Sequence, residues 1–418
     1  MRVRRGVLHS LRFQFFFVLL CGVVIPTWIA LGLSLDFDHS NGSITNTLIS
    51  AGLAAIISVY ALRRLALYPG TPAVKYILPT VAILYAAILA LITIERLEHS
   101  NTILVLCFLG TLAAHYALAT LNHRGAQLIY CIVPGGQVAL LGQLGEMMTL
   151  ELASPRIPDL PNVAFIADLH FDHTPEWERV LAEAAISGRP VYHYKQIWEA
   201  STGMVQIEHL SENSFGALIP GLAYGKMKRL GDLALCATLV PVLLPIMLVA
   251  TVLIKLDSPG PICFRQLRIG YRGKTFMLCK FRTMTEVHNG DHRGKSITQP
   301  DDDRITRIGR FLRKTRIDEL PQIWNILRGE MSWIGPRPEA ISLSNWYENE
   351  IPFYRYRHIV RPGISGWAQV NQGHVTKLKE INQKLQYDFY YIKNITYWLD
   401  ILIFFKTLRV VLNGFGSK

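Results

Sequence analysis

Charged residues are scarce in this sequence. They make up 18% of its 418 residues, whereas apolar residues make up 50%, a composition that excludes a disordered chain and a purely soluble enzyme. The six cysteines form no C-x-x-C pair and have no histidines at zinc-binding spacing, so no metal-thiolate site is readable. Helix-turn-helix, zinc-finger and aromatic RNA-binding motifs are also missing, and no nucleic-acid partner is therefore expected.

The excess of positive over negative charge is confined to the second half of the chain. The formal net charge of +12 divides into −2 before Gly225 and +14 from that residue onward. A basic region attracts anions. Composition alone leaves nucleic acid, anionic lipid and phosphorylated substrates as candidates.

Four apolar runs in the first third are each about 20 residues long, the length that a membrane-spanning helix needs. Arginine and lysine lie before the first run, between the second and third, and after the fourth, whereas the opposite side is acidic. By the positive-inside rule both ends of this bundle are cytoplasmic. We therefore expect a four-span transmembrane domain over residues 1–125. Its spans are 13–35, 44–62, 76–94 and 103–121.

A fifth apolar run, 233–254, contains Pro241 and Pro245 and has basic residues close to both ends. Proline removes an amide donor and bends a helix, and two prolines four residues apart favour a sharp break. Because both flanks are basic, we favour a re-entrant helix, which enters the bilayer and returns, over a helix that crosses it. Everything after this run is then cytoplasmic.

Residues 126–222 predict a small α/β domain. Apolar strands are expected at 127–133, 163–167 and 190–194, with an amphipathic helix at 177–187. The turn Pro134-Gly135-Gly136 after the first strand is similar to a dinucleotide-binding turn but lacks the G-x-G-x-x-G spacing. We expect a degenerate Rossmann-like domain that binds no nucleotide and serves packing or regulation.

Residues 304–315 predict a basic amphipathic helix. We favour a helix that lies on the membrane surface; the alternative is an ordinary solvated face. The acids at 301–303 are expected to cap the helix rather than to bind a metal. The apolar stripe consists of Ile305, Ile308, Phe311 and Leu312.

Two acids begin the next predicted helix. Apolar residues recur at helical spacing from Leu320 to Leu327 and a glycine follows at 329, so Asp318 and Glu319 lie at the N-terminus. Free amides at this position favour a bound phosphate, and Arg316 lies close in sequence. Taken alone, the acidic pair is equally explained as a favourable helix start.

Cations lie in rigid segments on either side of this acidic pair. Lys280 and Arg282 leave the end of a predicted strand, 275–279. Arg337 and Arg361 are each followed by proline, and a fixed backbone reduces the entropy lost when a guanidinium binds phosphate oxygens. Two such loops in a basic domain favour a phosphate-binding function over simple turns.

These motifs, taken in order, resemble those of the bacterial sugar transferases, the polyprenyl-phosphate hexose-1-phosphate transferases that begin exopolysaccharide and O-antigen assembly. The resemblance covers roughly residues 226–418, and the region before it is similar to that of the larger, polytopic members. The family's re-entrant break is commonly Ser-Pro, whereas Leu244-Pro245 stands here. The motifs are K-F-R-T-M (280–284), R-I-D-E-L-P-Q-I-W-N (316–325), G-P-R-P (335–338) and R-P-G-I-S-G-W-A-Q-V-N (361–371).

The resemblance implies transfer of a sugar-1-phosphate from a UDP-sugar to undecaprenyl phosphate, with release of UMP, as the first step of exopolysaccharide, lipopolysaccharide O-antigen or capsule assembly. Asp318 is then the nucleophile that forms an aspartyl phospho-sugar intermediate, and Glu319 assists through a metal or a proton. The cofactor is Mg2+, with both acids as candidate ligands. The implied substrate-binding residues are Lys280, Arg282, Arg316, Arg337, Arg361 and Asp388.

The expected architecture is therefore a multi-pass protein of the bacterial inner membrane. A four-span helical bundle is followed by a Rossmann-like domain and by a mainly α-helical cytoplasmic catalytic domain, 223–418, with the re-entrant helix. One rival function is a glycosyltransferase that releases UDP; another is a non-catalytic membrane scaffold. The sugar, the pathway, the role of residues 126–222 and the oligomeric state, including a homo-oligomer, stay open.

Overall fold

The computed structural model describes residues 10–33, 41–66, 68, 74–123, 129–144, 148–160, 162–206, 222–285, 304–373 and 377–413. The chain forms two compact units, Met1–Gly203 and Met204–Lys418. The boundary between these units falls inside the expected middle domain, 126–222. The division into three domains stays a prediction.

Long apolar helices make up the first part of the first unit. Each is long and apolar enough to cross a membrane. Each contains most of one apolar run found in the sequence, and the helix ends differ from the expected ones by a few residues. The first helix includes a π-helical stretch, Leu20–Val24. The helices are α1 (Leu11–Gly32), α2 (Asn41–Leu65), α3 (Val74–Ile94) and α4 (Asn101–His123).

Small residues bring α1 and α4 close together. A Cβ atom on Gly22 would overlap Thr111, and one on Gly110 would overlap the ring of Pro26. Small side chains let helix backbones approach within a membrane, where packing rather than the hydrophobic effect drives helix association. The length and apolar composition of these helices, together with this close packing, are those of a helix-rich membrane protein.

A four-stranded parallel sheet completes the first unit, with strand order β2-β1-β3-β4. The three strands expected from the sequence and the helix between the last two are confirmed. Strand β2 was missed because it has three residues and all are exposed, so it shows no apolar pattern. The elements are β1 (Ile129–Ile132), β2 (Thr149–Glu151), β3 (Val163–Ala167), α5 (Pro175–Ile186), β4 (Val191–His193) and α6 (Tyr194–Thr202).

The second unit begins with a 36-residue helix, α7 (Leu222–Asp257), that contains both Pro241 and Pro245. The helix is continuous through both prolines, so they do not divide it into two separate helices; the predicted bend at this position stays a prediction. A proline removes one amide hydrogen bond, and in so long a helix the turns on either side maintain the helical backbone. Like α1 to α4, α7 is long and apolar enough to cross a membrane.

Both halves of α7 pack against the same unit. In the N-terminal half, Cys236 packs with Phe276 in one cluster, and in the C-terminal half Ala250 and Ile254 pack with Phe281 in another. Phe276 and Phe281 belong to one strand, so both halves of α7 pack against the same strand. Polar contacts extend this pattern to the helix ends. Arg229 donates to the carbonyl of Ile326, and the Asp257 carboxylate accepts from the amide of Ile308.

Short helices and two small sheets build the rest of the second unit. Strands β5 and β6 form an antiparallel hairpin, and β7 and β8 pair in parallel. The elements are β5 (Cys263–Ile269), β6 (Thr275–Phe281), α8 (Arg307–Thr315), α9 (Ile323–Arg328), β7 (Ser332–Ile334), α10 (Ile341–Glu350), β8 (Gly363–Ser365), α11 (Trp367–Asn371), α12 (Leu378–Lys393) and α13 (Tyr397–Asn413).

The basic amphipathic helix α8 begins at Arg307, later than expected. Its cap is Thr306, whose hydroxyl oxygen accepts from the Gly309 amide at 2.9 Å; the acids at 301–303 lie outside the described residues. Leu312 is buried against α7. Ile308 is partly buried in the same cluster, whereas Phe311 is 53% exposed. The expectation that this helix lies on the membrane surface stays a prediction.

Candidate active site

Asp318 and Glu319 lie in a 3-10 turn, Ile317–Gln322, that continues directly into α9. The expectation that they begin a helical segment is confirmed, although its first part is 3-10 rather than α. Arg316 precedes the turn with φ 58°, in the left-handed region. This conformation is uncommon for a residue other than glycine. It reverses the chain after α8 and brings Arg316 beside the acidic pair.

Cations converge on one oxygen of Glu319. Its Oε1 lies 2.7 Å from Lys280 Nζ, 3.0 Å from Arg337 Nη2 and 3.9 Å from Arg316 Nη1. Lys280 comes from the last part of β6 and Arg337 from the loop after β7. Three segments that are distant in sequence thus meet at one carboxylate.

Burial and charge oppose each other at Glu319. Burial raises the pKa of this carboxyl, but the cationic groups of Lys280, Arg337 and Arg316 outweigh burial, and the pKa is lowered below its ordinary value. Glu319 is therefore ionised at neutral pH. Its negative charge in turn raises the pKa of Arg337.

Asp318 has a different environment. Its side chain is buried, and its Oδ1 has no hydrogen-bond partner in the described part of the chain. Burial raises the pKa of Asp318; Lys280 lowers it and the neighbouring Glu319 charge raises it, and the net direction is upward. A buried polar atom without a partner is costly, and it is typical of a group that acts on a ligand.

The cations are more exposed than the carboxylate beneath them. The side chain of Glu319 is 7% exposed, against 17% for Lys280, 31% for Arg337 and 37% for Arg316. A phosphorylated ligand that approaches from solvent would meet the cationic groups before it reaches the acids. Charge-assisted hydrogen bonds from such groups are the strong contacts that phosphate oxygens accept.

Two further arginines hold the loop that carries Arg337. Arg357 Nη2 donates to the Arg337 carbonyl at 2.9 Å, and Arg268 Nη1 donates to the Pro338 carbonyl at 3.0 Å. A Cβ atom on Gly335 would overlap the carbonyl of Arg361, so only glycine permits the approach of the two motif loops here. Arg337 therefore points to Glu319 from a fixed backbone.

Asp388 acts on this loop rather than on Glu319. Its Oδ2 accepts from Arg357 Nε at 3.1 Å and from Arg357 Nη2 at 2.8 Å, and both side chains are 2% exposed. The sequence analysis missed Arg357. A buried acid on the packed face of an amphipathic helix requires a partner, but nothing in the spacing indicates that the partner is a cation 31 residues earlier.

Two further predicted residues lie in other contacts. The Arg282 guanidinium donates to the carbonyls of Ser258 and Pro259 just after α7, and to the Ser258 hydroxyl. Arg361 Nε donates to the Gly329 carbonyl at 3.0 Å, and its guanidinium lies 4.9 Å from the Tyr271 ring centroid. The structure thus gathers Lys280, Arg316 and Arg337 at Glu319 and places Arg282, Arg361 and Asp388 elsewhere.

The acidic pair has the donor chemistry that Mg2+ requires. This ion takes oxygen ligands, usually one or two carboxylates together with substrate phosphates. Asp318 offers a buried carboxylate oxygen without a protein partner. Glu319 is less available, because its Oε1 already accepts from Lys280 and Arg337.

Comparisons with known proteins show the family of this chain. A family model described as bacterial sugar transferase matches residues 223–414. The UDP-N-acetylgalactosamine-undecaprenyl-phosphate N-acetylgalactosaminephosphotransferase of Aeromonas hydrophila is 39% identical over 419 residues, which cover 99% of this chain and 97% of the relative. This similarity includes the first unit, in which the sequence is similar to the larger, polytopic members of the family.

Other relatives match a smaller share of this chain. The UDP-glucose:undecaprenyl-phosphate glucose-1-phosphate transferase of Xanthomonas campestris pv. campestris is 47% identical over 189 residues, 44% of this chain and 38% of the relative. The exopolysaccharide production protein PSS of Rhizobium leguminosarum bv. phaseoli is 40% identical over 187 residues, 44% of this chain and 93% of the relative. The chain therefore belongs to the bacterial sugar transferases, the family of enzymes that its motifs indicate.

Proposed function

We propose that the protein transfers a sugar-1-phosphate from a UDP-sugar to undecaprenyl phosphate and releases UMP. The observation that carries this proposal is the buried, unpartnered Oδ1 of Asp318 next to a carboxylate on which Lys280, Arg316 and Arg337 converge. A reaction between two phosphorylated substrates needs cations to offset their repulsion, and a nucleophile can divide it into two easier displacements.

In the first displacement the Asp318 carboxylate attacks the phosphorus that carries the sugar. The bond from this phosphorus to the bridging oxygen breaks, and UMP leaves with that oxygen. In the second, an oxygen of undecaprenyl phosphate attacks the same phosphorus, and the aspartyl-phosphorus bond breaks. The carboxylate of Asp318 is restored, and the lipid carries the sugar through a diphosphate.

Lys280, Arg316 and Arg337 have the charge and the exposure to hold the diphosphate of the donor. Mg2+, if held by Asp318 with Glu319 beside it, would supply positive charge to the phosphate oxygens. Glu319 is ionised at neutral pH because its pKa is lowered. Of the two roles left open for Glu319, this supports a role in holding cations over a role in donating a proton.

The contacts of α7 support its re-entrant placement. Both ends of this helix bind residues of the second unit that lie between Phe276 and Trp333, including the segment with the acidic pair. If α7 crossed the membrane, that charged segment would have to follow it through the hydrocarbon, which is costly. We propose that α7 enters one leaflet and brings Asp318 to the level of lipid phosphates.

The remaining architecture follows from this placement. We propose that α1 to α4 are four spans with both ends cytoplasmic, that the parallel sheet is a Rossmann-like domain, and that the protein resides in the bacterial inner membrane. The basic residues that flank the apolar runs support this orientation.

The experiment that tests the function uses the full chain in liposomes with undecaprenyl phosphate and a radiolabelled UDP-sugar. UDP-N-acetylgalactosamine is the first donor to test, because the relative aligned over the whole chain is named for it; UDP-glucose is the second. We expect labelled lipid, release of UMP and loss of transfer when Mg2+ is chelated. Release of UDP would show a glycosyltransferase. Absence of transfer from every UDP-sugar would favour a scaffold.

A further inference from the structure

Three potential metal ligands meet at one edge of the parallel sheet in the first unit. Asp168 directly follows β3, His193 ends β4, and His170 lies in the loop after β3. One ligand atom from each residue lies within 4.8 Å of the other two. His170 Nδ1 and His193 Nε2 are 2.9 Å apart.

The strand order makes this edge a natural ligand position. Strand β1 has β2 on one side and β3 on the other, so the chain changes direction across the sheet at β1. In open parallel sheets, ligands bind at the carboxyl ends of the strands where the order reverses. The glycine turn after β1 and the Asp168 loop after β3 both lie at this position.

Asp168 takes the place that an anionic ligand would need. The amide of Gln137, just after the glycine turn, donates to Asp168 Oδ2 at 3.0 Å, and the amide of His170 donates to Oδ1 at 3.2 Å. A Cβ atom on Gly136 would overlap this carboxylate, and Gly136 has φ 62°. The turn is thus closed around an internal anion. A nucleotide phosphate could not accept from the Gln137 amide, which already donates to Asp168, and the negative charge of Asp168 would repel it. The same charge would attract a cation.

The histidines are arranged to share a positive ion. His193 Nδ1 lies 3.4 Å from the carbonyl of Ala167, which directs its Nε2 toward His170. A backbone carbonyl on the far nitrogen is the usual way in which a metal-binding histidine is oriented. Two ring nitrogens at 2.9 Å need a proton or a cation between them. On a tetrahedral zinc ion, ligand nitrogens lie about 3.3 Å apart, so the histidines would separate only slightly.

We propose that Asp168, His170 and His193 bind a borderline divalent transition-metal ion of the Zn2+ class. Two imidazoles and one carboxylate suit such an ion and not Mg2+ or Ca2+, which prefer oxygen ligands alone. Three protein ligands leave a further position for water or another ligand, and His170 is exposed, so this position is open to solvent. The site uses residues of the first unit and does not depend on the proposed transferase activity.

Metal titration of the full chain tests this proposal. The protein is purified in detergent with an affinity tag that contains no histidine, stripped with a chelator, and titrated with Co2+ in the presence of saturating Mg2+, which occupies oxygen-only sites. We expect about one Co2+ per chain with the strong visible absorption of a tetrahedral nitrogen-oxygen site, abolished by an equal amount of Zn2+.

Single substitutions locate the ion. His170→Ala and His193→Ala should each weaken Co2+ binding by more than the roughly 10- to 100-fold that loss of an outer partner causes. His99→Ala is the control, because His99 is a partly exposed histidine outside the cluster and its loss should leave binding unchanged. If His193→Ala does not fold, the His170→Ala variant alone tests the proposal, because His170 is exposed. The proposal fails if the wild-type protein shows no tetrahedral Co2+ spectrum, or if His170→Ala binds Co2+ as tightly as the wild type does.

Discussion

Asp318 and Glu319 are adjacent in the chain, yet their carboxylates have opposite environments. Glu319 Oε1 accepts from Lys280 at 2.7 Å and from Arg337 at 3.0 Å, whereas Asp318 Oδ1 is buried without a hydrogen-bond partner among the described residues. The ionised form of Glu319 therefore stabilises the fold, and the ionised form of Asp318 costs stability. Substitutions that remove one of these charges at a time can therefore distinguish the roles of the two acids.

Asp318→Asn should abolish transfer and leave the protein as stable as before, or more so. Loss of a nucleophile lowers turnover by at least about 1,000-fold. Because burial raises the pKa of Asp318, an uncharged amide of the same shape removes a cost to the fold. Transfer assays and thermal unfolding in the same detergent measure the two effects. Near-normal turnover would refute the assignment of Asp318 as the nucleophile.

Glu319→Gln should instead destabilise the protein. The substitution leaves Lys280 and Arg337 beside a neutral amide, and breaking a buried ion pair from one side costs about 3–5 kcal/mol. The thermal unfolding midpoint should fall clearly below that of Asp318→Asn, which serves as the matched control at the neighbouring position. Equal midpoints for the two variants would contradict the opposite environments described above.

The stabilising effect of Glu319 should also depend on pH. Its pKa in the folded protein is lowered, so its contribution is fully present above the unfolded-state value of about 4.3 and decreases as the pH falls below that value. Wild type and Glu319→Gln should therefore differ in unfolding midpoint at pH 7 and converge in acid. A difference that stays constant from pH 7 to pH 3 would show that the substitution acts through packing and not through charge.

Local patterns predicted the residues at the centre of the site because each lies at the end of a regular element. The first turn of a helix places Asp318 and Glu319, and the end of an apolar strand places Lys280. Arg282 shows the limit of this reasoning. Alternation along a strand puts residues 280 and 282 on one face, but the strand ends at Phe281, and Arg282 turns toward Ser258 instead.

Long-range partners were not readable from the sequence. Asp388 was predicted as a functional acid, but its contact with Arg357 depends on how α12 packs, which no local spacing encodes. The continuity of α7 through Pro241 and Pro245 was also not predictable from the prolines themselves. Whether a proline breaks a long helix depends on what the neighbouring turns pack against, and both halves of α7 are held by the second unit.

Arg357→Lys should reduce transfer although Arg357 does not contact Glu319. The lysine keeps the charge but cannot reach both Asp388 and the Arg337 carbonyl, so the loop with Arg337 loses its support. We expect kcat/KM to fall about 10- to 100-fold, as a small displacement of a positioned group causes. Arg355→Lys is the control, because Arg355 is two residues away and 80% exposed. Equal effects of both substitutions would contradict a positioning role for Arg357.

Arg282→Ala should act mainly on stability, whereas Arg337→Ala should lower activity. Arg282 holds the turn after α7 through the carbonyls of Ser258 and Pro259, so its loss should lower the unfolding midpoint while the folded fraction keeps its turnover. Arg337→Ala removes a cation from the site and should lower turnover about 100-fold or more. Turnover per folded molecule, measured below both midpoints, distinguishes the two. A loss of turnover in folded Arg282→Ala would restore the predicted substrate role of this residue.

The placement of α7 can be tested at two exposed positions near its ends. Leu230 is 71% exposed and Leu256 is 80% exposed, and 26 residues of helix separate them, about 39 Å along a straight axis. In a background without the native cysteines, Leu230→Cys and Leu256→Cys are treated with an impermeant thiol reagent, in spheroplasts and in inside-out vesicles. A re-entrant helix predicts that both positions react only in the inside-out vesicles, because both ends bind the same cytoplasmic unit. Reaction of Leu256→Cys in spheroplasts would show that α7 crosses the membrane and would place the acidic pair on the periplasmic side.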